Sequence, residues 1–401
     1  MLSVRIVAFE ALQDFIPLYP LYQLLFADHG LSPAQISTLF VIWSATGFVL
    51  EVPSGAWADA YSRRKLLILG ALLSGVGYAA WIMLPSFAGF ALGFVLWGTS
   101  SALISGTYEA FVYDELAARD RTEHYPTLLG RARSASFVMN LAATALATPL
   151  FNLGGYALAG VVSVLSCVVQ AGVAWSLPEA RPVEEARESD EPGARAAFGN
   201  YLHMLRSGVA EVLTSRLVRR SVALVALLGG FLAFDEYFPL LARETGAATS
   251  VIPLLIAGTV AAQALGSALA GPAYKWPAAV FAAALGATAV LIATGSLSRS
   301  AWGFLPIALG YGLMQLVIVV SESRLQDAIT GPARATVTSV SGLFAEVSAI
   351  AVYGGFALGS VWFTMSVLVA ALTIPVLLTA FVVPFALPSP RSSVSAEASD
   401  T

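Results

Sequence analysis

The chain has 401 residues, of which 57% are hydrophobic and 11% charged, against about 25% charged in an ordinary soluble domain. That balance excludes a water-soluble globular protein, and the net charge of -4, with no basic stripe carrying interleaved aromatics, points to no nucleic-acid partner. One cysteine, Cys167, excludes an intrachain disulfide; His29, His124 and His203 lack metal-ligand spacing, so neither metal nor cofactor is expected.

The apolar residues come in continuous blocks rich in Leu, Ala and Gly rather than in alternating runs, which favours membrane-crossing helices over strands. About 20 helical residues cross the ~30 Å hydrocarbon core. Twelve such blocks are predicted, approximately 4–27, 33–58, 65–84, 87–115, 125–150, 154–176, 217–242, 249–272, 276–296, 301–327, 334–358 and 360–386. The first starts almost at Met1, carries Glu10 and Asp14, and lacks a small-residue cleavage pattern; it reads as a retained helix rather than a signal peptide. The expected fold class is therefore all-α and membrane-embedded, with twelve transmembrane helices.

A polar interval divides these blocks six and six. The expected organisation is a first half over 1–176, a linker over 177–216, a second half over 217–387, and a disordered tail over 388–401. The linker begins rich in Glu, Arg and Pro. From about Ala196 it places Leu202, Leu205, Val209, Val212 and Leu213 at the spacing of a helix lying on the membrane surface. Of the 21 basic residues, all but Arg243 and Arg299 fall on one side of the bilayer in this layout. The positive-inside rule then puts both termini in the cytoplasm.

The halves also resemble each other, in the same orientation. Gly30 and Gly246 are separated by the same interval as Gly55 and Gly271, and Glu109…Asp114 recurs as Glu322…Asp327. Arg133 opens the block after the first pair and Arg334 the block after the second. Two parallel halves can rock so that a site at their interface opens to either side in turn.

At the end of the second block stands Gly55-Ala-Trp-Ala-Asp59-Ala-Tyr-Ser62-Arg63-Arg64-Lys65. This resembles the signature loop of the major facilitator superfamily, and the resemblance, with twelve spans and a central linker, covers nearly the whole chain. It implies two parallel six-helix halves, and an inner latch between Asp59 and Arg63 with Arg64 in the basic cluster. Ser62 stands where that family usually has glycine, and the matching loop Gly271-Pro-Ala-Tyr-Lys275 has lost its acid.

Ionisable groups within spans are costly and by default mark a pathway. Glu10 and Asp14 share a helix face, with Pro17 and Pro20 just beyond. Asp235 and Glu236 precede Pro239 in the corresponding seventh span, and Glu346 lies in the eleventh. These five acids, with Asn140, are the proton- and substrate-binding candidates. Glu109, Arg131, Arg133, Glu322, Arg324 and Arg334 fall near helix ends and are expected to form gate and interhelical ion pairs. Trp43, Trp97, Tyr108 and Tyr311 are candidate aromatic walls.

A buried carboxylate can hold a proton or a cation, not both, which suffices for exchange. The expectation is thus a secondary active transporter, a proton-coupled exporter of small amphipathic or cationic organic compounds working by alternating access. A proton-coupled importer of a small nutrient is the alternative, and a transporter-like receptor or lipid-handling protein the alternative of another class. Missing nucleotide-binding, nucleophile and metal motifs speak against an enzyme. The expected partners are a small organic solute, protons and the lipid bilayer. A monomer in a bacterial inner membrane is the expected state.

Overall fold

In the computed structural model the described residues are 2–179, 215–329 and 334–390, with the side chains at 52, 56, 59, 60, 334–336 and 339 left out. Most of the linker and nearly all of the tail lie outside them, as do the side chains of Asp59 and Arg334. Every regular element among the described residues is helical.

Thirteen α-helices follow in order: α1 (Leu2–Gln13), α2 (Tyr22–Asp28), α3 (Pro33–Ala60), α4 (Arg63–Met83), α5 (Phe87–Ala117), α6 (Tyr125–Trp175), α7 (Arg216–Phe231), α8 (Phe238–Glu244), α9 (Ile252–Ala273), α10 (Ala278–Leu297), α11 (Phe304–Ala328), α12 (Arg334–Gly359) and α13 (Met365–Ala386). Ten stretches are long and apolar enough to cross a membrane. Two features turn ten into twelve. α6 is two spans run together, with non-helical backbone at Gly154 and Gly155; Gly155 has φ of +60°, a left-handed conformation that costs side-chain-bearing residues about 1–2 kcal/mol. The first span is the pair α1 and α2, each too short to cross alone.

That first span is broken over 14–21, where Pro17 and Pro20 supply no N–H to a helix. The seventh is broken at the corresponding place. α7 gives way to a 3₁₀ turn, Leu232–Tyr237, before α8 restarts with Pro239 in its first turn, a position where the ring is tolerated. The loops after both broken spans turn on glycines with positive φ, Gly30 at +86° and Gly246 at +82°.

Sixth-span side chains satisfy the interrupted backbone. Ser163 Oγ accepts the Leu18 N–H at 3.1 Å, Ser166 Oγ donates to the Leu12 carbonyl at 3.1 Å, and Gln170 Nε2 donates to the Phe9 carbonyl at 3.2 Å. In the seventh span, Tyr311 Oη donates to the Leu232 carbonyl at 2.8 Å. Without such partners these groups have no place at membrane depth.

Two compact units emerge. One holds residues 2–179, 236–257 and 353–362, so it includes α8 and the last turns of α12; the other holds 215–235, 258–329, 334–352 and 363–390. Within the first, α4 packs on α5 and α6, and α1 on α6; within the second, α10 packs on α11 and α13, and α7 on α13. With α6 counted as the fifth and sixth spans together, each of these second-unit pairings has a counterpart in the first.

The outward faces carry side chains that water would not tolerate in such number: Leu153 is 80% exposed, Leu378 61% and Phe385 71%. Trp175, Trp302 and Trp362, also exposed, sit at helix ends, as in an interfacial aromatic belt. The chain is an integral membrane protein.

α9 and α11 meet through glycine. A Cβ at Gly266 would lie 2.1 Å from the Gly312 carbonyl oxygen, a backbone atom that cannot swing away, whereas one at Gly258 on the same helix meets nothing within 4 Å. Gly266→Ala is expected to destabilise the protein by about 1–3 kcal/mol and Gly258→Ala to leave it unchanged or slightly firmer. Thermal unfolding of the two purified variants in one detergent checks the contrast.

Candidate functional site

The break in the first span concentrates polar groups in a region otherwise apolar. Asp14 stands where α1 stops, and its carboxylate accepts a hydrogen bond from Ser136 Oγ of α6. One turn earlier, Glu10 and Gln13 line a cavity of about 220 Å³ together with Ser105, Tyr108 and Glu109 of α5 and Arg133 of α6. Glu109 pairs with Arg133 at 2.9 Å, both side chains largely exposed. The Tyr108 hydroxyl donates to the Ile6 carbonyl at 3.0 Å, fixing the ring in the wall. Glu10 makes no hydrogen bond or ion pair among the described residues, and the Gln13 amide oxygen is buried without a donor.

Glu236 belongs to the same unit. Its Oε2 accepts from the Tyr22 hydroxyl and from Gln23 Nε2, the latter at 2.9 Å. Both partners are neutral and both come from α2. Gln23 is buried, and its own amide oxygen has no partner. The neighbouring Tyr237 hydroxyl bonds Ser37 Oγ at 2.8 Å. Asp235, though adjacent, is exposed, as is Glu346 on α12. Asn140 is occupied locally, accepting from Thr144 Oγ1 at 3.4 Å.

An aromatic wall adjoins Tyr22. Tyr19 stacks on Trp97 with centroids 5.3 Å apart, and Trp97 on Trp43 at 4.7 Å; Tyr22, Trp81 and Phe94 back them. Tyr311, by contrast, is a buried structural residue of the other unit.

The signature loop is ordered by short-range chemistry. Gly55 lies inside α3. Ser62, in the place where glycine was expected, caps α4: its Oγ accepts the Lys65 N–H at 3.2 Å, as an N-cap residue does. Arg63 pairs with Asp114 at the end of α5 and also donates to the Ala110 carbonyl at 2.9 Å and the Ala58 carbonyl at 3.3 Å. Arg64 donates to the Leu177 carbonyl at 3.2 Å. In the other unit the acid matching Asp114, Asp327, accepts from the Tyr274 hydroxyl of the loop that has lost its basic pair.

Arg324 differs from the ion-pair role expected of it. It is fully buried and donates to the main-chain carbonyls of Tyr274, Trp276 and Pro388, with the Tyr274 and Phe281 rings over its guanidinium. Arg131 and Glu322 are exposed, and Arg131 takes no part in the Arg133–Glu109 pair.

At the other end of the spans Asp28 accepts from both Arg243 and the Tyr156 hydroxyl. Sequence spacing alone gave no reason to join these residues, nor Gln13, Gln23 or Ser136 to the acids. The available signal was that polar side chains other than acids also stand inside spans. No cluster of metal ligands occurs among the described residues.

Residues 6–353 match the family model described as Major Facilitator Superfamily. The chain belongs to the major facilitator superfamily. Solved structures of the same fold include a variant of the nucleoside transporter NupG, 10% identical, with a TM-score of 0.72 over 95% of this chain and 98% of that one. The D-xylose–proton symporter is 13% identical, with a TM-score of 0.68 over 97% and 98%. A bacterial homologue of the human lysosomal transporter Spinster, in an inward-facing and unoccupied conformation, is 16% identical, with a TM-score of 0.69 over 96% and 94%. No curated protein matches the chain. This superfamily member is a membrane transporter of small solutes and not an enzyme.

Arg324 offers a direct check of the second unit. Arg324→Met keeps the volume but strands buried carbonyls, each costing about 1–3 kcal/mol. A clear fall in the unfolding midpoint of the purified variant is expected, and Arg324→Lys, with fewer donors, should recover only part of it.

Proposed function

We propose that this chain is a proton-coupled exporter of small cationic or amphipathic organic compounds, working by alternating access between two six-helix halves over 1–176 and 217–387. The observation that carries it is the setting of three acids, Glu10, Asp14 and Glu236, on or beside the breaks of the first and seventh spans. Asp14 and Glu236 are held by neutral donors, and Glu10 by none. A carboxylate in such a place neutralises itself by taking either a proton or a cationic ligand. The competition couples the two: a proton arriving from one side releases the cation, and the reverse exchange resets the site.

The charged contacts at the two ends serve as gates in this mechanism. Asp28 with Arg243 and Tyr156 holds one end, and Arg63 with Asp114 steadies the signature loop at the other. With both termini in the cytoplasm, as the distribution of basic residues favours, the signature loop faces inward and the Asp28 contacts face outward.

The test is accumulation, in efflux-deficient cells, of a small fluorescent dye that bears a primary alkylammonium group. Wild type is expected to lower accumulation, a protonophore to abolish the effect, and Asp14→Asn and Glu236→Gln each to cut energised efflux about tenfold or more. Dye accumulation raised above the empty-vector level would instead show an importer. No protonophore effect on any flux would remove proton coupling.

A further inference from the structure

The cavity beside α1 has a charge imbalance that specifies a ligand. We infer that it is a binding site for the head group of a small, singly charged organic cation bearing N–H donors, with Glu10 as its counter-ion. Three charged side chains line it: Glu10, Glu109 and Arg133. Arg133 is bonded to Glu109 at 2.9 Å, so one negative charge, that of Glu10, is left without a bonded partner. Neither oxygen of its carboxylate accepts a hydrogen bond among the described residues. The hydroxyl of Tyr108 is engaged elsewhere, on the Ile6 carbonyl. A ligand that completes this wall must bring one positive charge and N–H donors for that carboxylate.

Size narrows the class further. At about 220 Å³ the cavity is smaller than the roughly 300–1,000 Å³ of drug-sized sites. A primary or secondary alkylammonium fits it. A bulky delocalised cation does not, and a quaternary ammonium lacks the N–H donors that the Glu10 carboxylate calls for. The site lies entirely within the first unit. It rests on the transport assignment only in taking its ligand to be the solute carried.

The test is equilibrium binding to the full chain in lipid nanodiscs, without a gradient, using tritiated 2-phenylethylammonium. Its N,N,N-trimethyl derivative, 3-phenylpropanoate and tetraphenylphosphonium serve as competitors. Expected are displacement by unlabelled 2-phenylethylammonium, at least tenfold weaker displacement by the other three, and an affinity loss of about tenfold or more for Glu10→Gln. The Glu109–Arg133 pair supplies a signed check that a general folding defect would not mimic. Glu109→Gln leaves Arg133 unopposed and should weaken binding about threefold, whereas Arg133→Gln adds net negative charge and should tighten it by about the same factor. Both side chains are largely exposed, so both variants should fold. Equal competition by the trimethyl or anionic probe, unchanged affinity in Glu10→Gln, or a shift of both pair variants in one direction would overturn the assignment. Gradient-driven dye efflux alongside any of these results would leave the transporter reading intact. The expected binding pattern without proton-dependent flux would retain the site and remove the coupling.

Discussion

A hydrocarbon solvent offers no hydrogen bonds, so every N–H and C=O at membrane depth has to find a partner inside the protein. Most of this chain meets that demand with unbroken helix. The first and seventh spans do not, and there the demand shapes the neighbours. Ser163, Ser166 and Gln170 face the interrupted first span, and Tyr311 the seventh. These four side chains add hydrogen bonds to the backbone around the breaks. The breaks in turn bring backbone, acids and aromatic rings together at a depth where regular helices would present only apolar faces.

The units treat charge in two ways. Arg324 is buried permanently, on carbonyls and aromatic rings, and its delocalised guanidinium suits that many-partnered setting. Its charge cannot be shed at any accessible pH, so the surroundings are built to hold it. Three acids of the first unit have far thinner support: one hydroxyl for Asp14, a phenol and an amide for Glu236, no hydrogen bond for Glu10. A carboxyl group can lose its charge by taking up a proton. Permanent support for the cation thus contrasts with sparse support for these three carboxylates.

Much of the fold was legible in the amino-acid pattern, because membrane helices are announced by length and hydropathy. The breaks were foreshadowed by Pro17, Pro20 and Pro239, and the turns after them by Gly30 and Gly246, whose positive φ values explain why glycine stands at both. The glycine pair Gly154–Gly155 marks a boundary between two spans in the sequence, and in the structure it is a kink between two helical stretches that otherwise run on from one another. The pairing of side chains was less legible. Arg63 bonds Asp114, far along the chain and brought near by the packing of α4 on α5, while the side chain of Asp59 lies outside the described residues. Glu236 meets Tyr22 and Gln23 from far along the chain. Such contacts depend on which helix faces which, and a single sequence carries almost no record of that.

The arginine at the end of each unit has a consequence for the order of assembly. Arg64 bonds the carbonyl of Leu177, just past the sixth span, and Arg324 bonds that of Pro388, just past the twelfth. A chain emerging from the ribosome makes each arginine well before its carbonyl partner. Each cation therefore waits in an unfinished bundle until the last span of its own set has entered the bilayer. The carbonyl then closes the bundle much as a clasp closes a strap. The Arg64 contact can close while the second set of spans is still being synthesised, whereas α8 and the last turns of α12 join the first unit only later.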